Sequence, residues 1–236
     1  MPYLKKTTKV GNRIYVEKVF SARYGKSTIP GPKKNKTDAA VKKQQQRERE
    51  KKLRWLIEAN FVPGDWHVTL TFRKEHRTTD RDKIKAIKKE FMNALRKIYK
   101  KEGKELKFVC VTEKLKTCVH FHVVLNDIPH LAKEVTSAWK YGRAYTSSLY
   151  ESDDGFKQLA SYMIKEDHVK GEQSYSRSRN LIIPETKVEV ISAKKWTKEP
   201  KAKKGYYIQK GSVKDGISEI TGYQYQYYTM IKIRDD

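Results

Sequence analysis

Cysteine is nearly missing from this 236-residue chain. Its two copies, Cys110 and Cys118, are too few for a disulfide scaffold or a thiolate zinc site, and both read as apolar strand residues in a reducing compartment. No apolar run approaches the roughly 18 residues that a membrane-spanning helix needs. The opening Met1-Pro2-Tyr3-Leu4-Lys5-Lys6 has no signal-peptide core, so a cytoplasmic location is the expectation. No repeat of fixed period is visible. A phosphate-binding loop is missing too: Gly25-Lys26-Ser27-Thr28 looks like its tail, but Phe20 stands where that loop needs a glycine. Acid is scarce, with 28 Asp and Glu against 52 Lys and Arg, a formal net charge of +24. That excess attracts polyanions and releases their counterions on binding. Nucleic acid is the default partner, and an anionic membrane surface is the weaker one. Fifteen tyrosines suit a surface on which bases stack, though tyrosine also serves as ordinary strand filling.

What is present centres on Thr117-Cys118-Val119-His120-Phe121-His122-Val123-Val124-Leu125-Asn126. A period of two sends Val119, Phe121, Val123 and Leu125 to one face of a sheet and His120 and His122 together to the other. Two imidazoles at i and i+2 can chelate one metal ion if a third ligand comes from a neighbouring strand. Two histidines satisfied by hydrogen bonds on a half-exposed face would leave the same short pattern.

Around that strand the chain reads as follows. Residues 13–20 alternate like a strand, and residues 33–58 favour a helix whose polar middle is either solvated or an arm that orders on DNA, the solvated helix being favoured. Pro63-Gly64-Asp65 marks a turn before an alternating strand over 66–72, with Trp66, Val68, Leu70 and Phe72 inward and His67, Thr69 and Thr71 outward. Ile84, Ile87, Phe91, Leu95 and Ile98 give an amphipathic helix over 80–101. Residues 106–113 form a second strand, and a turn centred near 116 would bring Glu113 opposite or diagonal to His120. A short helix over 129–140, a strand over 143–150 and a helix over 153–166 capped by Asp153 or Asp154 follow. That last helix carries Tyr162 and Lys165, three residues apart. Beyond it, 188–191, 206–209 and 223–233 are strand-like pieces among lysines.

A β-α-β-β-α-β order with a histidine–hydrophobic–histidine strand and a later helical Tyr-x-x-Lys resembles the HUH endonuclease superfamily. Within it, the chain is most similar to single-tyrosine rolling-circle replication initiators of plasmids, prophages and small circular viruses. Residues 66–72 are similar to the first motif of that family. Glu113, His120 and His122 are similar to its metal-binding motif, and Tyr162-Met163-Ile164-Lys165 to its catalytic helix. Ser178-Arg179-Asn180-Leu181 with Pro184 resembles a stretch that follows that helix. The similarity covers about residues 61–184.

The resemblance implies an α+β, ferredoxin-like (RRM-like) antiparallel sheet with helices on one face. It is flanked by a basic N-terminal extension with a helix (1–60) and a basic, tyrosine-rich C-terminal extension with strands (185–236). It implies a metal-dependent enzyme that nicks and joins single-stranded DNA at a replication origin, where a hairpin or torsional stress exposes an unpaired strand. Tyr162 would be the nucleophile that forms a 5′-phosphotyrosine, and Lys165 would assist it. Glu113, His120 and His122 would hold Mg²⁺ or Mn²⁺. Neither a nucleotide cofactor nor a membrane partner is expected. No second tyrosine lies four residues from Tyr162, which argues against paired-tyrosine initiators. A transposase or relaxase of the same superfamily would share the site. A noncatalytic ferredoxin-like domain gripping nucleic acid would share the charge and the aromatics, and a tyrosine on an amphipathic helix also serves as core filling.

Overall fold

The computed structural model describes residues 3–21, 38–113, 119–164, 175–191, 199–219 and 222–233. In chain order these form β1 (Tyr3–Val10), β2 (Arg13–Phe20), α1 (Asp38–Asn60), β3 (Trp66–Thr71), α2 (Arg81–Lys101), β4 (Phe108–Glu113), β5 (His120–Leu125), α3 (Leu131–Ala138), β6 (Ala144–Ser148), α4 (Lys157–Met163), β7 (Ser176–Arg177), β8 (Thr186–Ile191), β9 (Tyr206–Ile208), β10 (Lys214–Ile217) and β11 (Gln224–Lys232). The chain divides into two units, Glu48–Ile182 and Met1–Arg47 together with Ile183–Asp236. No helix among the described residues is long and apolar enough to cross a membrane.

The Glu48–Ile182 unit is built on an antiparallel sheet of order β6-β3-β5-β4-β7. Alternation along its strands sorts side chains to two faces. Val68 and Leu70 of β3, Phe108 and Cys110 of β4, and Phe121, Val123 and Leu125 of β5 meet Phe91 and Leu95 of α2 and Leu131 and Val135 of α3. Each such fully buried side chain stabilises the fold by roughly 1.5–3 kcal/mol. Helix α2 begins at Asp80, whose carboxylate accepts from the backbone N–H groups of Asp82 and Lys83, two of the four donors that a helix start leaves unpaired. Burial pushes the Cys110 thiol up to about 11, so it behaves as an apolar residue.

The opposite face corrects the expectation of helices on one side. Val109 and Val111 of β4 and Val124 of β5 pack there against Leu53, Leu56 and Ile57 of α1 and Ala160 and Met163 of α4. The physical reason lies in β4. Phe-Val-Cys-Val is apolar at every position, so both of its faces need cover, as in strands sandwiched between layers. Helix α4 is also shorter than the 153–166 expected. Neither Asp153 nor Asp154 caps it: Phe156 is the residue before its first turn, with no side-chain cap. Its backbone N–H donates instead to Glu58 of α1, and Asp154 pairs with Lys157 at 3.0 Å. The polar middle of α1 is helical, with side chains exposed or half-buried.

In the other unit the two ends of the chain share one sheet, of order β10-β11-β2-β1-β8 with β9 on β11. β1 and β2 form a hairpin across Gly11 and Asn12, and Gly11 takes a φ of 53° that an L side chain seldom adopts. Ile14 and Val16 of β2 pack with Tyr228 and Met230 of β11.

One glycine is held by sterics. A Cβ built on Gly142 would lie 1.9 Å from the carbonyl oxygen of Thr71, the same oxygen that accepts from the Trp139 indole at 2.9 Å. Gly142→Ala is therefore expected to lower stability by about 1–3 kcal/mol, read as a lower urea midpoint at unchanged slope. Gly103→Ala, with open space around it, should keep its contacts and lose only the cost of its positive φ.

Candidate functional site

The β4–β5 ladder places Glu113 directly across from His120, with Phe108 across from Leu125 at the far end. That register carries both histidines to the face away from α2 and α3. The turn joining the strands (114–118, including Cys118) lies outside the described residues. From Glu113 the carboxylate reaches diagonally to His122, where Oε2 and Nε2 are 2.6 Å apart. Both groups are buried, His122 to 1% exposure.

The other nitrogen of His122 turns toward β3. Thr69 pairs with His122 across the β3–β5 ladder, and His67 lies two residues along the same face. Nδ1 of His122 is 3.3 Å from Thr69 Oγ1 and 3.3 Å from His67 Nε2. The His67 and His122 ring centres are 5.5 Å apart and the planes differ by 7°. An imidazole nitrogen sits about 1.1 Å from its ring centre, so those distances place both nitrogens almost on the line between centres, in the plane where the lone pair points. The rings therefore meet edge to edge, as an in-plane N–H···N bond requires, and do not overlap face to face. Burial first, and the neighbouring His122 second, lower the His67 pKa to about 4.

Tyr162 enters from α4. Ala160 and Met163 anchor that helix in the apolar patch beside the site, while Tyr162 is 42% exposed. Its ring stands edge-on to His122 at 5.1 Å between centres and to His67 at 5.9 Å. A core-filling tyrosine would be buried, and this one is not. Lys165 lies outside the described residues.

The structure thus brings together Glu113, His122 and Tyr162, with His120 across the ladder from Glu113. It adds His67 and Thr69, which the alternation places on the outward face of their strand. The signal was there in the alternation: residues on the face of β3 that continues the histidine face of β5 become neighbours once β3 and β5 pair. Among the described residues no three His, Cys, Asp or Glu side chains converge closely enough to hold a metal ion as they stand.

Residues 65–167 match the family model for the Replication-associated protein ORF2/G2P. The match lies wholly within the Glu48–Ile182 unit and spans Glu113, His120, His122, Tyr162 and Lys165. The matched segment is less than half of the chain and is similar to a replication-associated protein family. No curated protein and no solved structure matches the chain.

The basic residues also resolve into a place. Arg96, Lys100 and Lys104 from the end of α2, with Arg177 and Arg179 beyond α4, line an open groove of about 790 Å³. Its acid, Glu105, accepts from the Asn180 amide at 3.2 Å, and Lys104 donates only to a backbone carbonyl, that of Asp127. The positive charge of the groove is left largely uncompensated.

The His67 shift has a measurable consequence. The unfolded imidazole takes up a proton near its ordinary 6.5 and the folded one only near 4. Stability of the metal-free protein should therefore fall as pH drops from about 6.5 to 4, by up to about 3 kcal/mol from this group. Urea midpoints across that range check it: the fall should be shallower in His67→Gln than in the parent chain.

Proposed function

We propose that this protein is a site-specific nicking and joining enzyme that opens one DNA strand to start rolling-circle replication. The observation that carries the reading is an exposed tyrosine on one element held edge-on to a buried carboxylate–imidazole pair on another. Support also comes from the family match and from the β-α-β-β-α-β order with strands β6-β3-β5-β4, which we read as ferredoxin-like.

The donor set suits a divalent ion. Glu113, His120 and His122 offer one hard oxygen and two imidazole nitrogens on adjacent strands, and Mg²⁺ or Mn²⁺ accepts such a mixture. Glu113 and His122 already lie 2.6 Å apart. When bound, such an ion would draw in a phosphate oxygen and offset the charge that builds there during displacement.

The chain's own residues would do the rest. The Tyr162 oxygen attacks the phosphorus, the bond to the 3′ oxygen breaks, and a 5′-phosphotyrosine and a free 3′-hydroxyl result. Because one phosphoester replaces another, the later return of a 3′-hydroxyl reseals the strand without a nucleotide cofactor. The partial exposure of Tyr162 fits a nucleophile that must meet a strand from outside. Lys165, three residues on in the sequence, would offset charge on the phenolate or the phosphate. Phosphate contacts would extend into the groove of Lys100, Arg177 and Arg179. Its aromatic lining residue, Phe108, is buried, so the groove would hold backbone and would not stack bases.

Single-stranded DNA bearing the chain's own origin, labelled at its 3′ end, provides the test. With Mn²⁺ the label should become covalently attached to the parent protein and not to Tyr162→Phe, resolved on a denaturing gel. His120→Ala with His122→Ala should lose attachment while retaining most of its DNA affinity. Binding without any attachment, across genuine origin sequences, would instead mark a noncatalytic nucleic-acid-binding protein. Replacing Lys100, Arg177 and Arg179 together with alanine should flatten the plot of log affinity against log salt by about 2, near 0.7 per lost single-strand phosphate contact.

A further inference from the structure

We propose that His67 is a positioning residue for the metal ligand His122, acting through the in-plane bond between the two rings. The inference rests on the reading of Glu113, His120 and His122 as a divalent-ion site. A histidine ligand must present a bare nitrogen to the ion, and its other nitrogen must then carry the proton. Ligand histidines commonly hand that second N–H to an acceptor that fixes ring orientation and tautomer. Here Nε2 of His122 lies 2.6 Å from Glu113 Oε2, and Nδ1 lies 3.3 Å from His67 Nε2, in the plane of both rings.

The in-plane contact between the rings fixes the orientation of His122 whichever ring donates, so His122 would not need to rotate to serve as a ligand. Thr69 Oγ1 is equally near to Nδ1, but the coplanar, in-line alignment belongs to His67. The diagonal placement of His67 and His122 on paired strands makes that alignment a property of the sheet.

The experiment is Mn²⁺ binding to the full chain without DNA, followed by electron paramagnetic resonance of the free ion. The variants are His67→Phe, which keeps a flat ring and removes the bond, and His67→Gln, whose amide oxygen can accept the Nδ1 proton. His67→Phe should weaken Mn²⁺ binding by about 10–100-fold, and His67→Gln should recover most of it. Equal affinity of the parent and His67→Phe would overturn the inference. Should His67→Phe fail to fold, the parent chain with ¹⁵N-labelled histidine decides. With Mg²⁺ bound, His122 should show a protonated Nδ1 with a scalar coupling across the bond to His67 Nε2, and a bare Nδ1 or no such coupling would end the idea. If the parent itself binds no Mn²⁺, or if His122→Ala binds it as tightly as the parent, the metal reading fails, and the role of His67 toward an ion fails with it.

Discussion

The buried contact between Glu113 and His122 depends on the register of one hairpin. Side chains on a strand alternate strictly, so slipping β4 against β5 by one residue would pair Glu113 with a residue of the wrong face. The register is held from the other face. Phe121, Val123 and Leu125 can enter the core shared with α2 and α3 only in the arrangement that leaves His120 and His122 on the opposite side. Apolar burial on one side of the sheet thus sets the polar geometry on the other. A carboxylate and an imidazole removed from water in this way stabilise little by themselves, but taking away one partner strands the other, at a cost of about 3–5 kcal/mol.

The site face divides across the strands. Val109 and Val111 of β4 with Val124 of β5 give α1 and α4 an apolar seat. Glu113, His120, His122, Thr69 and His67 form a polar patch beside it, with Val111 across from His122 and His67 across from Val124. Because Ala160 and Met163 anchor α4 on that apolar seat, the outward residue between them, Tyr162, comes to rest beside the imidazoles while still 42% exposed to solvent. The helix that completes the candidate site is thus held by the same packing that closes the second core. Charge is distributed unevenly between the units. Met1–Arg47 and Ile183–Asp236 together hold 24 Lys and Arg against 9 Asp and Glu, the larger share of the net positive charge. The unit outside the family match is therefore the more basic one.

Local pattern carried much of this architecture. The alternation in β3 and β5, the three-and-four spacing in α2 with Asp80 before it, and the pairing of Glu113 with His120 were all legible as short-range regularities. Each follows from a period of 2 or 3.6 acting over a few residues. The second helical layer was less legible, although the unbroken apolar run of β4 signalled a strand covered on both faces. The start of α4 was misjudged because Asp153 and Asp154 resemble a cap. In the fold the first turn is met by Glu58, which is 98 residues away in sequence, and no local pattern encodes such a partner.

By itself, the sequence determined which side chains share a face, the strongly basic character, and the presence of a tyrosine beyond a two-histidine strand. Periodicity and composition suffice for those, since neither depends on what a distant segment does. Only the tertiary structure decided that the ends of the chain pair in one sheet, that Tyr162 reaches the imidazoles, and that His67 lines up in plane with His122. Each of these joins residues far apart in sequence, and their meeting is set by which strands become neighbours and by how the two apolar faces are covered.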